Sequence, residues 1–275
     1  MEKVVLITGA SSGFGKDVAV KLLEKGYTVF VAARNTDKMK PLHAAGAHLL
    51  KMDVTSDEEV RAEVEEIIKE YGRIDVLFNN AGYGNFGVIE DIPMNDVEYQ
   101  FNVNVLGAIR VIKAVLPYMR RHRYGRIINT SSVVGRVSMP CGGYYSATKY
   151  SIEAISDALR IETKGFGIKV SIIEPGPVKT GFEKVVFDKL DSVNISEDYK
   201  PLQESFNKVF RKMYSNAPGT ESTVKAVLHA IESKHPKIRY RTTPSSKMMV
   251  FLKNITSARI FDWCMERTLS AGRRK

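Results

Sequence analysis

The chain has 275 residues, 44% of them hydrophobic and 26% charged, a balance that makes it globular with material for a large core. Its two cysteines, Cys141 and Cys264, exclude a disulfide framework, and its five histidines show no zinc-type spacing with them, so no metal site is expected. A formal net charge of +10 suits nucleotide phosphates, anionic lipid surfaces and nucleic acid equally, and selects none of them.

Lys3-Val4-Val5-Leu6-Ile7 enters strand-like sequence at once, and no uncharged apolar run reaches about 18 residues. Neither a leader peptide nor a spanning helix is therefore expected, and the cysteine usage makes a reducing, cytoplasmic location the default. From Lys3 onward strand and helix signals alternate, the pattern of a parallel sheet covered on both faces. Strands are expected near 3–8, 27–33, 47–51, 74–78, 125–130, 168–174 and 237–241, with amphipathic helices between them, long ones at about 95–122 and 145–166. No Gly/Ser- or Pro-rich linker interrupts the chain, so a single domain is expected.

Between strand 3–8 and a helix carrying Val18, Val20, Leu22 and Leu23 lies Thr8-Gly9-Ala10-Ser11-Ser12-Gly13-Phe14-Gly15. Glycine at 9, 13 and 15 lets the backbone turn tightly and approach a pyrophosphate, which the free amides of a helix N-terminus then stabilise. A tight turn rich in small residues is the plainer account of the same stretch. The second strand ends Phe30-Val31-Ala32-Ala33 without the carboxylate that would hold the adenosine ribose of NAD, and Arg34 comes next. Asp53, followed by Val54, closes the third strand and is placed near an adenine ring.

Asn79-Asn80-Ala81-Gly82 follows the apolar strand Val76-Leu77-Phe78. Its short amides can bond a cofactor and brace the sheet, or simply make an Asn-rich turn. Asn102 and Asn104 interrupt an otherwise apolar helix, and a buried amide without partners costs about 1–3 kcal/mol, so Asn104 is expected to bond water or backbone in the site. Ser131 and Ser132 end the apolar run Ile127-Ile128-Asn129-Thr130, where open α/β sheets place their ligands. Tyr145 and Lys149 are four apart at the start of a helix, on one face. At about 4 Å and an effective dielectric of about 20, the ammonium contributes about 4 kcal/mol to a phenolate, enough to poise Tyr145 near neutrality as an acid/base.

Strand 168–174 runs into Glu174-Pro175-Gly176-Pro177-Val178-Lys179-Thr180, a stiffened loop whose threonine can donate to an amide ligand. A substrate lid is expected at 182–220, where Phe182, Phe187, Tyr199, Phe206, Phe210 and Tyr214 stand among charges; with Met139, Cys141 and Tyr83 they either wall an apolar pocket or pack as ordinary core. Residues 221–243 supply the last helix and strand. The segment 244–275 is expected to form a mobile, basic cover beside the substrate entrance. Met248, Phe251, Leu252 and Ile255 recur there at helical spacing, followed by Ile260, Phe261, Trp263, Met265 and Leu269, with Lys247, Lys253, Arg259, Arg267, Arg273, Arg274 and Lys275 around them. That pattern serves an interfacial helix touching an anionic membrane or a helix packed on its own domain.

These motifs together resemble the short-chain dehydrogenase/reductase family over about residues 3–180: Thr8–Gly15, Asp53, Asn79–Gly82, Asn104, Ser132, Tyr145, Lys149 and Pro175–Thr180 stand in the family's order. The resemblance implies a Rossmann-type, doubly wound parallel α/β sheet of about seven strands in a core of 1–181, with helices on both faces. It implies cofactor contacts from Gly9, Ser11, Ser12, Gly13, Phe14, Gly15, Arg34, Asp53, Val54, Asn80, Ala81, Gly82, Tyr145, Lys149, Pro175, Gly176, Val178 and Thr180, with Arg34 marking NADP(H) and Ser12 assisting. In it Ser132, chosen over Ser131 by its place thirteen residues before Tyr145, polarises the substrate carbonyl, and Tyr145 transfers the proton. Lys149 binds the nicotinamide ribose and lowers the tyrosine pKa, and Asn104 holds a relay water. Ser132, Met139, Cys141, Tyr145 and Phe182 would contact substrate.

Softer cues in Asn102–Ala108, Leu116–Met119 and Glu174–Thr180 resemble the branch of 17β-hydroxysteroid dehydrogenases, retinol dehydrogenases and acyl-dihydroxyacetone-phosphate reductases. The resemblance implies an NADP(H)-dependent enzyme interconverting a hydrophobic ketone or aldehyde and its alcohol, first a hydroxysteroid, alternatively retinal or an acyl-dihydroxyacetone phosphate, acting as a homodimer or homotetramer. A non-catalytic NADP-sensing scaffold is the rival of different class. Nucleic acid is not expected as a partner, since no recognised binding motif accompanies the basic surplus.

Overall fold

The computed structural model describes residues 3–192 and 194–273. Of the basic tail, Arg274 and Lys275 lie outside the described residues.

Seven strands form one parallel sheet: β1 (Val4–Thr8), β2 (Thr28–Ala33), β3 (His48–Lys51), β4 (Val76–Asn79), β5 (Gly125–Thr130), β6 (Ile168–Glu174) and β7 (Arg239–Arg241). Their order is β3-β2-β1-β4-β5-β6-β7, so the winding reverses between β1 and β4. The helices that follow in the chain are α1 (Gly13–Leu23), α2 (Lys40–Ala44), α3 (Asp57–Tyr71), α4 (Met94–Phe101), α5 (Ala108–His122), α6 (Gly143–Thr163), α7 (Phe182–Ser192), α8 (Lys200–Ser215), α9 (Glu221–Glu232), α10 (Pro244–Ile255) and α11 (Ala258–Arg273).

The pleat of β1 explains the two layers. Val4 and Leu6 point to one face, where α3, α5 and α6 bury Val60, Val64, Val111, Val115 and Leu159. Val5 and Ile7 point to the other, against Val18 and Leu22 of α1, Leu42 of α2 and Val227 and Ile231 of α9. Full burial of each such aliphatic side chain contributes about 1.5–3 kcal/mol, so the sheet register is strongly specified from both sides. Local signals agree with the packing. Ser56 caps α3 by accepting from the Glu59 amide at 3.2 Å, Asp57, Glu58 and Glu59 fill its first turn, and Gly72 ends it at φ 73°.

One expected helix is broken. The pattern at 95–122 is α4 and α5 joined by a π-helical stretch, Asn102–Gly107, a geometry that shifts side chains around the axis and is often found at functional sites. A third cluster lies beyond the carboxyl edge of the sheet, where Val186, Leu190, Phe206 and Phe210 of α7 and α8 meet Phe86, Val250, Phe261 and Leu269. The segment expected as a lid is thus two packed helices. α10 and α11 pack on this third cluster through Val250, Phe261 and Leu269, and a reciprocal cap between Thr243 and Ser246 starts α10.

Candidate active site

Parallel strands all end on the same edge, so Thr8, Ala33, Asn79, Thr130 and Glu174 finish side by side at one rim. A cleft of about 500 Å³ opens there at the winding reversal. The glycines at its floor are steric requirements. A Cβ on Gly9, whose φ is 65°, would lie 2.7 Å from the Ala81 Cα, and one on Gly13, φ 55°, would lie 2.9 Å from the Thr180 Cβ. Ser12, at the N-cap of α1, makes no side-chain bond to the helix, and it lines the cleft with Gly13 and Phe14, so α1 starts at the cleft with its first-turn amides uncapped by that side chain. Asn80 braces the loop, donating from Nδ2 to the carbonyls of Thr8 and Gly9 at 3.3 and 3.1 Å, while the Thr8 hydroxyl accepts from the amides of Asn80 and Ala81. Asn79 donates to Asn129 of β5 and to the Ala108 carbonyl, and so ties the sheet to α5.

The cleft is lined by Ser11, Ser12, Gly13, Phe14, Arg34, Asp53, Val54, Asn80, Ala81, Gly82, Pro175, Gly176, Val178 and Thr180 at its long end, and by Ser132, Met139, Tyr145, Lys149 and Phe182 at its deep end. Three expected residues are elsewhere. Gly15 packs behind the loop, where a Cβ would meet the Gly9 carbonyl oxygen at 2.7 Å. Cys141 is buried beside the pocket in a left-handed turn, φ 56°, with its carbonyl accepting from Gly87 N at 2.8 Å and its thiol pushed up to about 12 by burial; it is not a wall of the cleft. Asn104 stands behind Gly82. Its Oδ1 accepts from Tyr83 N at 2.9 Å and its Nδ2 donates to the Tyr83 carbonyl at 2.8 Å and to Thr148 Oγ1 at 3.2 Å, so the buried amide is satisfied by backbone and hydroxyl.

At the deep end the two serines part. Ser131 is buried with its hydroxyl toward the Lys149 carbonyl, 3.4 Å away, whereas the Ser132 hydroxyl lines the cleft beside Tyr145, donating to the Pro175 carbonyl at 3.4 Å and accepting from Val134 N at 3.3 Å. Lys149 Nζ donates to the Thr130 carbonyl at 3.0 Å and lies 5.6 Å from the Tyr145 ring centroid. Burial pushes the phenol well above its ordinary value, and the nearby Ser132 hydroxyl only partly opposes it. Burial also pulls Lys149 down to about 8, against the Glu153 carboxylate one turn on. Helical spacing led to the expectation of a phenol poised near neutrality by the Lys149 charge; in the cofactor-free chain the larger influence on Tyr145 is burial, which acts in the opposite direction.

Several cleft residues carried no sequence signal. Lys38 and Asn35 join Arg34 in the cleft lining beyond the end of β2, and Arg34 Nη1 donates to the Tyr99 hydroxyl at 2.7 Å. Phe86 lies 5.0 Å from the Tyr145 ring and Phe182 5.8 Å, centroid to centroid, and with Phe210, Met213, Tyr214 and Met249 they make the deep wall apolar. Phe187, Tyr199 and Phe206 do not reach the cleft: Tyr199 donates to Glu90 Oε2 at 2.9 Å, and Phe206 stacks on Phe210 in the third core.

A family model described as short chain dehydrogenase matches residues 3–191. An uncharacterized oxidoreductase of Escherichia coli (strain K12) is 38% identical over 267 residues, covering 95% of this chain and 93% of that protein. A 3-ketodihydrosphingosine reductase of Bacteroides thetaiotaomicron is 40% identical over 249 residues, 88% of each chain, and retinol dehydrogenase 8 of Homo sapiens is 33% identical over 271 residues, 93% of this chain and 86% of that one. Among solved structures, a short chain dehydrogenase/reductase from Burkholderia phymatum in complex with NAD has a TM-score of 0.79 at 27% identity, covering 92% and 93% of the two chains. ElxO with NADP bound has 0.74 at 27%, covering 90% and 100%. A family model over most of the chain, relatives matched nearly end to end, and a cleft at the winding reversal lead to one conclusion: this chain belongs to the short chain dehydrogenase family of oxidoreductases, which work with a nicotinamide cofactor.

Proposed function

We propose that the chain is an NADP(H)-dependent oxidoreductase interconverting a hydrophobic ketone or aldehyde and its alcohol, acting on a lipid carbonyl in preference to the steroid first expected. One observation carries this reading: Ser132, Tyr145 and Lys149 line one cleft together with the glycine loop and the aromatic wall of Phe86, Phe182, Phe210 and Tyr214. The floor suits a dinucleotide, because Gly9 and Gly13 let two backbone segments pack closely at its base and the first turn of α1 opens at the cleft. For NADP over NAD the support is the exposed Arg34 with Lys38 beside it, and Ala33 where a ribose-binding acid would stand. For a lipid carbonyl the support is the apolar wall together with two relatives named for 3-ketodihydrosphingosine and retinol.

When bound, the nicotinamide supplies hydride to the carbonyl carbon in reduction and accepts it in oxidation. The protein's part is at the oxygen. Ser132 donates to it and holds the carbonyl against the floor, and Tyr145 gives up its proton as alkoxide charge develops. The raised phenol pKa suits this direction, since the proton is in place at neutral pH. Lys149, with a pKa of about 8, is largely charged at neutral pH and offsets the tyrosinate that remains.

A panel of long-chain and cyclic ketones, aldehydes and alcohols with NADPH and NADH, run on the parent chain and on Tyr145→Phe, tests the reading. Turnover of an apolar carbonyl with NADPH, reduced about a hundredfold or more in the variant, is the expected result. A variant as active as the parent on the same substrate, or a parent that binds NADPH and turns over nothing in the panel, refutes it, the latter in favour of a nucleotide-sensing scaffold.

A further inference from the structure

The apolar stripe of α10 faces solvent. Met248, Phe251, Leu252 and Ile255 recur at i, i+3, i+4 and i+7 and are 60%, 61%, 42% and 62% exposed, while the opposite face buries Ser246 and Val250. α11 repeats the arrangement, with Phe261 and Leu269 turned inward and Ile260 and Trp263 outward, 53% and 52% exposed. Single exposed apolar side chains are ordinary, but six on two consecutive helices are a binding surface. The surface adjoins the cleft, because Met249 of α10 and the exposed Val185 of α7 both line it.

Charge identifies the occupant. α10 carries Lys247 and Lys253 and no carboxylate. On α11, at about 100° per residue, Arg267 lies between Ile260 and Trp263, Arg259 and Glu266 share the edge of that sector, and Asp262 falls toward the buried Leu269. The Arg267 guanidinium sits over the Trp263 ring at 4.3 Å, an arrangement with an apolar body and a charged rim. Apolar side chains bordered by cations and ending in tryptophan suit the headgroup layer of a membrane. A second copy of the chain fits less well, since two-fold pairing would set the carboxylate-free face of α10 against itself. Among the described residues no helix is long and apolar enough to cross a membrane.

We infer that the outer faces of α10 and α11 dock on the surface of a membrane rich in anionic phospholipid, with the cleft mouth at the bilayer. A lipid carbonyl dissolved there then reaches Tyr145 through the adjoining opening, but the docking itself stands apart from the reaction. Point variants suit the test, because Val250, Phe261 and Leu269 belong to the third core and truncation would open it. The full chain is floated with vesicles of phosphatidylcholine alone and of phosphatidylcholine mixed with phosphatidylglycerol, at low and high salt, beside Phe251→Ser, Trp263→Ser and the double variant, each checked for unchanged thermal unfolding and sedimentation.

About tenfold or more enrichment on the anionic vesicles, reversed by salt and lost stepwise in the variants, is expected. Equal flotation with both vesicle types, no flotation at low salt, or variants that float like the parent would overturn the inference. So would a double variant that turns a dimer into a monomer while the parent binds no vesicle, since the face would then be a subunit contact.

Discussion

Replacing Lys149 by Met should make the cofactor-free protein more stable at neutral pH while removing its activity. The ammonium is 5% exposed, and its pKa is held at about 8 against an ordinary 10.5. At about 1.36 kcal/mol per pKa unit, keeping it charged withholds about 3 kcal/mol of folding free energy wherever both folded and unfolded chains are protonated, that is below pH 8. Methionine fills much of the same stem volume without charge. The loss of the 3.0 Å bond to the Thr130 carbonyl takes back about 1 kcal/mol, leaving a net gain of about 2 kcal/mol. For a chain of this length that raises the melting temperature by about 4–6 °C.

Between pH 8 and 10.5 the folded parent releases its proton first, so its stability rises with pH by about 1.36 kcal/mol per unit and the advantage of the variant shrinks, changing sign near about pH 9.5 and ending above pH 10.5 as a deficit equal to the lost hydrogen bond. Thermal unfolding by circular dichroism at pH 7 and pH 10 measures the difference. A variant less stable than the parent at pH 7, or a difference that pH leaves unchanged, would refute the reasoning. A charge retained at such a cost is what a functional group, rather than a structural one, looks like.

Arg34→Ala should weaken NADPH binding by about ten- to hundredfold and leave NADH binding nearly unchanged, since only the 2′-phosphate takes the guanidinium fork; equal losses in titrations with the two cofactors refute it. Gly9→Ala should lower the melting temperature and abolish cofactor binding, because its φ of 65° and the 2.7 Å approach to Ala81 leave no room for a methyl group; Gly26→Ala, at φ 77° but with open space around it, serves as the control for backbone strain alone. Light scattering at micromolar concentration should report a dimer or tetramer paired through the outer faces of α5, with the π-helical stretch before it, and α6, where Leu106 of that stretch and Ile161 of α6 are exposed at 47% and 69%, and Ile161→Arg should dissociate it; a monomeric parent chain counts against this assembly.

The strands and the cleft were legible in the sequence for a topological reason. Strands buried on both faces leave near-continuous apolar runs such as Val4–Ile7 and Ile168–Ile173, and parallel strands all deliver their ends to one rim. Motifs as far apart as Thr8–Gly15, Asn80–Gly82, Ser132 and Pro175–Thr180 are thereby carried to the same cleft. Solvation was not legible. Helical spacing placed Lys149 beside Tyr145 but said nothing of depth, and depth decided the sign of the phenol shift. Nor was a long-range partner: periodicity marked Asn104 as a polar group in an apolar helix, but the Tyr83 backbone that satisfies it lies 21 residues away in sequence.

The rotation of α10 about its axis shows the same limit from another side. Its period revealed an apolar stripe, as did that of α8, yet Phe206 and Phe210 of α8 turn inward and Phe251 of α10 turns outward. What fixes α10 is its start. Thr243 accepts from Ser246 N at 3.2 Å and Ser246 Oγ accepts from Thr243 N at 3.3 Å, and Gly176 lies so close that a Cβ there would strike the Thr243 and Ser245 hydroxyls. The cap thus seats the Thr243–Ser246 side of the helix on the Pro175–Gly176 loop. With Ser246 and Val250 committed inward, Met248, Phe251, Leu252 and Ile255 have only solvent, or a partner, to face. A hydrophobic period measures how apolar a face is, while the anchor at the helix end decides where that face points.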